Sequence, residues 1–168
     1  ERHPETLNDT CNLGRVALEL GNTRRAERLA TTCLTNGFGG LKYKRLMVDI
    51  VSRKGDNEKA LEMLNSSILS KQRGKLQVAL DMAAKGRVLA RLDRGREALR
   101  CYRRALNVVR QMQHPSWRTV ELNTIHEFAR ELMSADMHKV AVKELNGAME
   151  MLDEMCGGDE GKRLFACR

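Results

Sequence analysis

Four alanines constrain this chain more than anything else in it. Ala26, Ala60, Ala98 and Ala141 each sit early in an apolar helical pattern, at successive spacings of 34, 38 and 43 residues. Twelve residues before them stand Gly14, Val48, Gly86 and Ala129, and five before them stand Gly21, Gly55, Asp93 and Asp136, all turn formers. Seven residues after them stand Cys33, Ser67, Ala105 and Ala148. Small side chains let two helix backbones approach closely. Small residues at fixed offsets on both sides of a turn therefore describe a helix–turn–helix unit, repeated four times at a period a little above thirty residues. One such pair cannot bury its apolar face alone, so neighbouring units must stack.

The repeat predicts units over about 5–38, 40–73, 75–112 and 115–155, one helical domain over 1–155, and a glycine-containing tail over 156–168. Pro4 and Glu5 suit the first turn of a helix, where a missing N–H costs nothing and a carboxylate meets the positive helix end. Leu7, Leu13, Val16, Ala17 and Leu20 form the apolar stripe of that helix, and Ala26, Leu29, Ala30, Cys33 and Leu34 that of the next. Gly37 suits a left-handed C-terminal cap. Asp56 or Asn57, and Asp136, suit N-caps. Val140, Ala141, Leu145, Ala148, Met149 and Leu152 give the last stripe, and Trp117 is assigned to the core. The tail is either loose or docked through Leu164 and Phe165. The 38 and 43 spacings predict longer helices or inserted turns in the later units.

Within DMAAKGRVLARLDRGREALRCYRRAL, residues 81–106, Gly86, Ala98, Tyr102 and Ala105 stand where a tetratricopeptide repeat carries its small and large packing residues. The stretch resembles that family, and the other three units resemble it more distantly. The early aromatic position of the first helix holds Thr10, Lys44, Met82 and Ile125 instead, and the late proline is missing throughout. The opening HPETLNDTCNLG and the later His114-Pro115 are similar to the kinesin light chain type of repeat. The resemblance implies an all-α, right-handed α-solenoid of about four helix-turn-helix repeats. It also implies a non-catalytic scaffold whose first helices line a concave groove for another protein. Carried onto this chain, the partner-binding positions are Asn8, Asn12, Arg15, Arg45, Arg53, Arg87, Arg91 and Arg130. Such a groove suits an acidic or extended segment of a partner, or a neighbouring subunit of a complex. Pentatricopeptide repeats have a similar length. That leaves an RNA-binding helical-repeat protein of an organelle as the alternative.

Charge agrees with an acidic partner. Lys and Arg total 30 against 22 acidic residues, a net +8, and arginine outnumbers lysine about two to one. Net charge governs long-range attraction rather than fold, and arginine suits forked contacts with carboxylate or phosphate. Arg96, Arg100, Arg103 and Arg110 recur at helical spacing and form a second basic face, with Arg104 beside it. Nucleic acid is the lesser candidate partner, because aromatics for base stacking are sparse.

Motifs of catalysis are incomplete. HEFAR has Arg130 where a zinc-protease helix needs its second histidine, and the glycines from Gly157 to Lys162 fall one residue short of a phosphate-binding loop. No Cys/His set has zinc spacing, so no metal, cofactor or catalytic residue is expected. The methionines lie on apolar stripes as core fillers. Five cysteines without a CxxC pair read as reduced thiols, hence an intracellular setting, cytoplasm or organelle interior. No run approaches a membrane-spanning length. The start at Glu1 reads as a fragment or a processed product.

Overall fold

The computed structural model describes residues 4–35, 41–68, 74–112 and 117–157. They form helices joined by tight turns: α1 (Pro4–Glu19), α2 (Thr23–Thr35), α3 (Leu41–Arg53), α4 (Asn57–Ile68), α5 (Lys75–Arg91), α6 (Gly95–Arg110), α7 (Arg118–Ser134) and α8 (His138–Gly157). Among the described residues there is no strand. The chain divides into two compact blocks, Glu1–Ser70 and Lys71–Arg168. Each holds two helix pairs. The wider spacing of the later alanines has a direct cause: α5 and α7 run 17 residues each, where α3 runs 13.

The same turn closes every pair. Gly21, Gly55, Asp93 and Asp136 all take the left-handed conformation, at φ 76°, 95°, 58° and 55°. The amide after each reaches back to an orphan carbonyl of the preceding helix: Asn22 to Ala17, Asp56 to Val51, Arg94 to Leu89 and Met137 to Leu132, at 2.8–3.2 Å. This is the Schellman closure, which needs a left-handed residue just past the helix end. Glycine adopts it freely, and aspartate is among the side chains that tolerate it best. The carbonyl of the next residue then accepts the first helical bond of the second helix, always from the marker alanine: Ala26 to Asn22, Ala60 to Asp56, Ala98 to Arg94 and Ala141 to Met137.

This geometry corrects one sequence expectation. Asp136 is not the N-cap of α8; it is the left-handed residue that ends α7. Asp56 is an N-cap as expected, its Oδ1 accepting the Lys59 amide at 3.3 Å, and Asn22 caps α2 in the same way through Arg25 at 3.0 Å. Gly37, Lys71–Arg73, His114-Pro115 and the tail beyond Gly157 lie outside the described residues.

The four alanines occupy like environments. Ala26, Ala60 and Ala98 are 0% exposed and Ala141 1%. In the first block, Ala17, Leu18, Ala26, Ala30, Leu46 and Ile50 form one cluster, with Leu29, Tyr43 and Met47 packed around it. Gly14 is the point of closest approach: a Cβ there would lie 2.6 Å from Cδ2 of Leu46, so α1 meets α3 through bare backbone. In the second block Gly86 does the same for α5, with the Tyr102 ring of α6 laid across it. Tyr102 is 0% exposed and packs against Phe128 of α7 at a ring-centroid distance of 6.3 Å.

Not every apolar stripe faces the core. Leu13, Val16 and Leu20 are 54%, 55% and 79% exposed, and the inward face of α1 is Cys11, Gly14, Ala17 and Leu18. Leu34, Val140, Met149 and Leu152 are likewise exposed. Trp117, at the N-cap of α7, is half-buried.

Candidate functional site

The candidate binding positions fall on the first helix of each pair. In the first block Asn12 and Arg15 are exposed on α1, and Arg45 is half-buried on α3. Asn8 lies within α1, with its side chain outside the described set. Arg53, in the last turn of α3, crosses to α1, where its Nη2 lies 3.3 Å from Oε2 of Glu19. A cation there also suits the negative end of its own helix.

In the second block Arg87 is half-buried and Arg91 exposed on α5, and Arg130 is exposed on α7. Arg130 forms an ion pair with Glu127 one turn earlier, and its carbonyl accepts the Ser134 hydroxyl at 3.2 Å. Beneath lies Tyr102. Burial pushes its hydroxyl well above the usual phenol range, with Glu127 and Glu131 adding to the effect and Arg87 and Arg130 opposing it. These four charges therefore share one neighbourhood above the ring. Oε1 of Glu131 also sits 2.8 Å from where a Cβ on Gly95 would stand, at the start of α6.

The first-helix surface is thus basic but laced with acid. Arg53 and Arg130 are held by carboxylates, and Glu127 and Glu131 stand beside Arg130. The arginine pattern alone concealed this. The signal that could have revealed it was the i−3 carboxylate at Glu127, a standard helical ion-pair offset.

The second basic face divides. Arg96, Arg100, Arg103 and Arg104 are exposed on α6. Arg110 turns toward its neighbours instead: Nε lies 2.8 Å from Oε1 of Glu121 on α7 and Nη2 2.8 Å from Oε2 of Glu144 on α8. It joins three helices of one block. Arg94, just outside α6, forks onto Glu97 through Nε and Nη2 at 2.8 and 3.0 Å and holds that carboxyl below its ordinary range.

Among the described residues no group of three or more His, Cys, Asp and Glu side chains could hold a metal ion. Also among them, no helix is long and apolar enough to cross a membrane. What the described surface offers is forked cations, amides and carboxylates.

Residues 82–116 match the family model of the tetratricopeptide repeat. No curated protein matches the chain in sequence. The crystal structure of kinesin-light-chain-like, nearly identical TPR-like repeats from Podosopora anserina superimposes with a TM-score of 0.58 at 17% identity, covering 94% of this chain and 76% of that one. At that identity the likeness concerns the fold: an all-α helical repeat of the solenoid class.

Proposed function

We propose that this chain, a divergent tetratricopeptide-type repeat protein, is a non-catalytic scaffold that holds an acidic or extended segment of a partner against the first helices of its pairs. Repeats of this family mediate protein–protein interaction, and residues 82–116 carry the family's pattern. The observation that carries the acidic partner is the basic run of exposed or half-buried first-helix positions: Arg15, Arg45, Arg53, Arg87, Arg91 and Arg130, with Asn8 and Asn12 on the opening helix. Within that run Arg53 and Arg130 already have internal carboxylates. A partner's carboxylate competes for them or bridges to them, and Glu127 and Glu131 restrict where an acidic chain can lie. Exposed arginine–carboxylate contacts contribute only about 0.2–1 kcal/mol each, so affinity also draws on apolar anchors. The exposed Leu13, Val16 and Leu20 support a variant of the reading, in which the chain is a fixed subunit of a larger assembly.

The test is a pull-down from native extract with and without nuclease, repeated with Arg87→Ala/Arg130→Ala and with Arg100→Ala/Arg103→Ala. The scaffold reading expects partners that survive nuclease and are lost from the first double variant. The exposed arginine ridge of α6 favours RNA as the second reading. Loss of all partners on nuclease treatment, or loss only from the Arg100/Arg103 variant, overturns the first-helix site.

A further inference from the structure

The first helix pair holds two thiols in its core. Cys11 on α1 and Cys33 on α2 are 1% and 0% exposed, and their sulfurs lie 3.1 Å apart, one thiol donating to the other. That is about 1 Å longer than a disulfide bond. The third helix pair shows that small side chains suffice at these two places. The corresponding residues of the third pair are Ala83 and Ala105, buried at 5% and 0%, and they fill the place without sulfur. Of the four pairs, only the first carries cysteine at both positions, with Arg45 and Ser67 in the second and His126 and Ala148 in the fourth.

We propose that Cys11 and Cys33 are a redox modification site, closed to an intramolecular disulfide by a small-molecule disulfide of the oxidised-glutathione class. The exchange has two steps. The thiolate of one cysteine attacks a sulfur of glutathione disulfide, breaking its S–S bond, forming a mixed disulfide and releasing one glutathione thiolate. The second cysteine, deprotonated, attacks the protein sulfur of the mixed disulfide, forming the Cys11–Cys33 bond and releasing the second glutathione. The two protein thiols give up two protons and two electrons, and one glutathione disulfide becomes two glutathione thiols.

Both cysteines are sealed from solvent at 1% and 0% exposure, so glutathione disulfide does not reach them in the closed pair. The first step therefore proceeds when α1 opens locally from α2, and the second as it closes again. Once formed, the bond spans 22 residues of sequence and fastens the two helices of the pair. Cys101 is the internal control: it is half-buried, burial pushes its thiol up, and it has no thiol of its own helix pair to meet.

The protein is equilibrated in glutathione buffers from fully reduced to strongly oxidised. Remaining thiols are alkylated, and the peptides are mapped by mass spectrometry without reduction. The Cys11 and Cys33 peptides are expected to appear linked to each other, while Cys101 is alkylated. The melting temperature is expected to rise by about 4–8 °C on oxidation. Cys11→Ala and Cys33→Ala fold, because the third pair already uses alanine at both places, and each loses the rise. Glutathione adducts on single cysteines without the linked peptide overturn the proposal. So does an equal thermal shift in Cys33→Ala, or no oxidation at potentials where glutathione itself is oxidised.

Discussion

Tyr102 shows what a large residue costs and contributes in a fold built on small ones. Its ring fills the space over Gly86, and its hydroxyl is fully buried with no hydrogen-bond partner among the described residues. A buried donor without a partner carries an unreturned desolvation cost. Tyr102→Phe keeps the ring and removes that group, so stability at neutral pH should hold or rise by about 1 kcal/mol in a urea titration. The pH dependence has a definite sign. The folded hydroxyl titrates above its unfolded value of about 10, so the neutral phenol's contribution is intact below that pH and is lost as pH rises through it, at roughly 1.4 kcal/mol per pH unit. Alkaline unfolding curves of Tyr102→Phe should lack that loss. Gly86 is the other half of the contact. A Cβ there would stand 2.8 Å from Cε1 and Cζ of the ring, and a ring wedged against Phe128 has little freedom to move. Gly86→Ala should cost about 1–3 kcal/mol. Gly147, inside α8, meets nothing within 4 Å, so Gly147→Ala should instead stabilise by about 0.5–1 kcal/mol. Thermal melts of the two variants should move in opposite directions.

At the scale of helices, the turn is the best-specified element. Two glycines and two aspartates stand in one aligned column, and all four take the same left-handed conformation. The column was legible in sequence because only a few residue types tolerate positive φ. At Asp136 the residue type alone does not tell the end of α7 from the start of α8, because aspartate serves helix starts and helix ends alike. The marker alanines were legible for a similar reason: a backbone contact excludes everything larger. The facing of apolar stripes was less so. A helical period identifies an apolar side but does not say whether a neighbour covers it, and Leu13, Val16 and Leu20 are exposed for that reason. Helical spacing places Arg110 on an outer basic face, yet its guanidinium ties α6 to α7 and α8 through Glu121 and Glu144. Spacing along one helix cannot reveal carboxylates on two others. The two glutamates are 14% and 21% exposed, so removing their common partner leaves both poorly solvated. Arg110→Ala should cost about 1–2 kcal/mol, more than an ordinary surface pair, and the loss should shrink in Glu121→Gln/Glu144→Gln. Chemical denaturation of the four-member mutant cycle measures it.

For the molecule as a whole, the sequence conveyed the class of fold and the repeated grammar, and its spacing placed a series of arginines on the first helices of the pairs. Of the acid woven among those arginines, Glu127 stands at a helical offset from Arg130 that sequence can show, whereas Glu19 meets Arg53 across two helices and was legible only in three dimensions. Val16 raises a larger point. It stands two residues after Gly14, as Ile50 stands two after Val48 and Val88 two after Gly86. Ile50 and Val88 are 1% and 3% exposed, whereas Val16 is 55%. The same position is therefore satisfied by packing in the second and third pairs and wetted in the first. Such a greasy rim sets a ceiling on how concentrated the isolated protein can become. Replacing Leu13, Val16 and Leu20 by glutamate should raise the threshold for turbidity in light-scattering titrations and leave the circular dichroism spectrum unaltered.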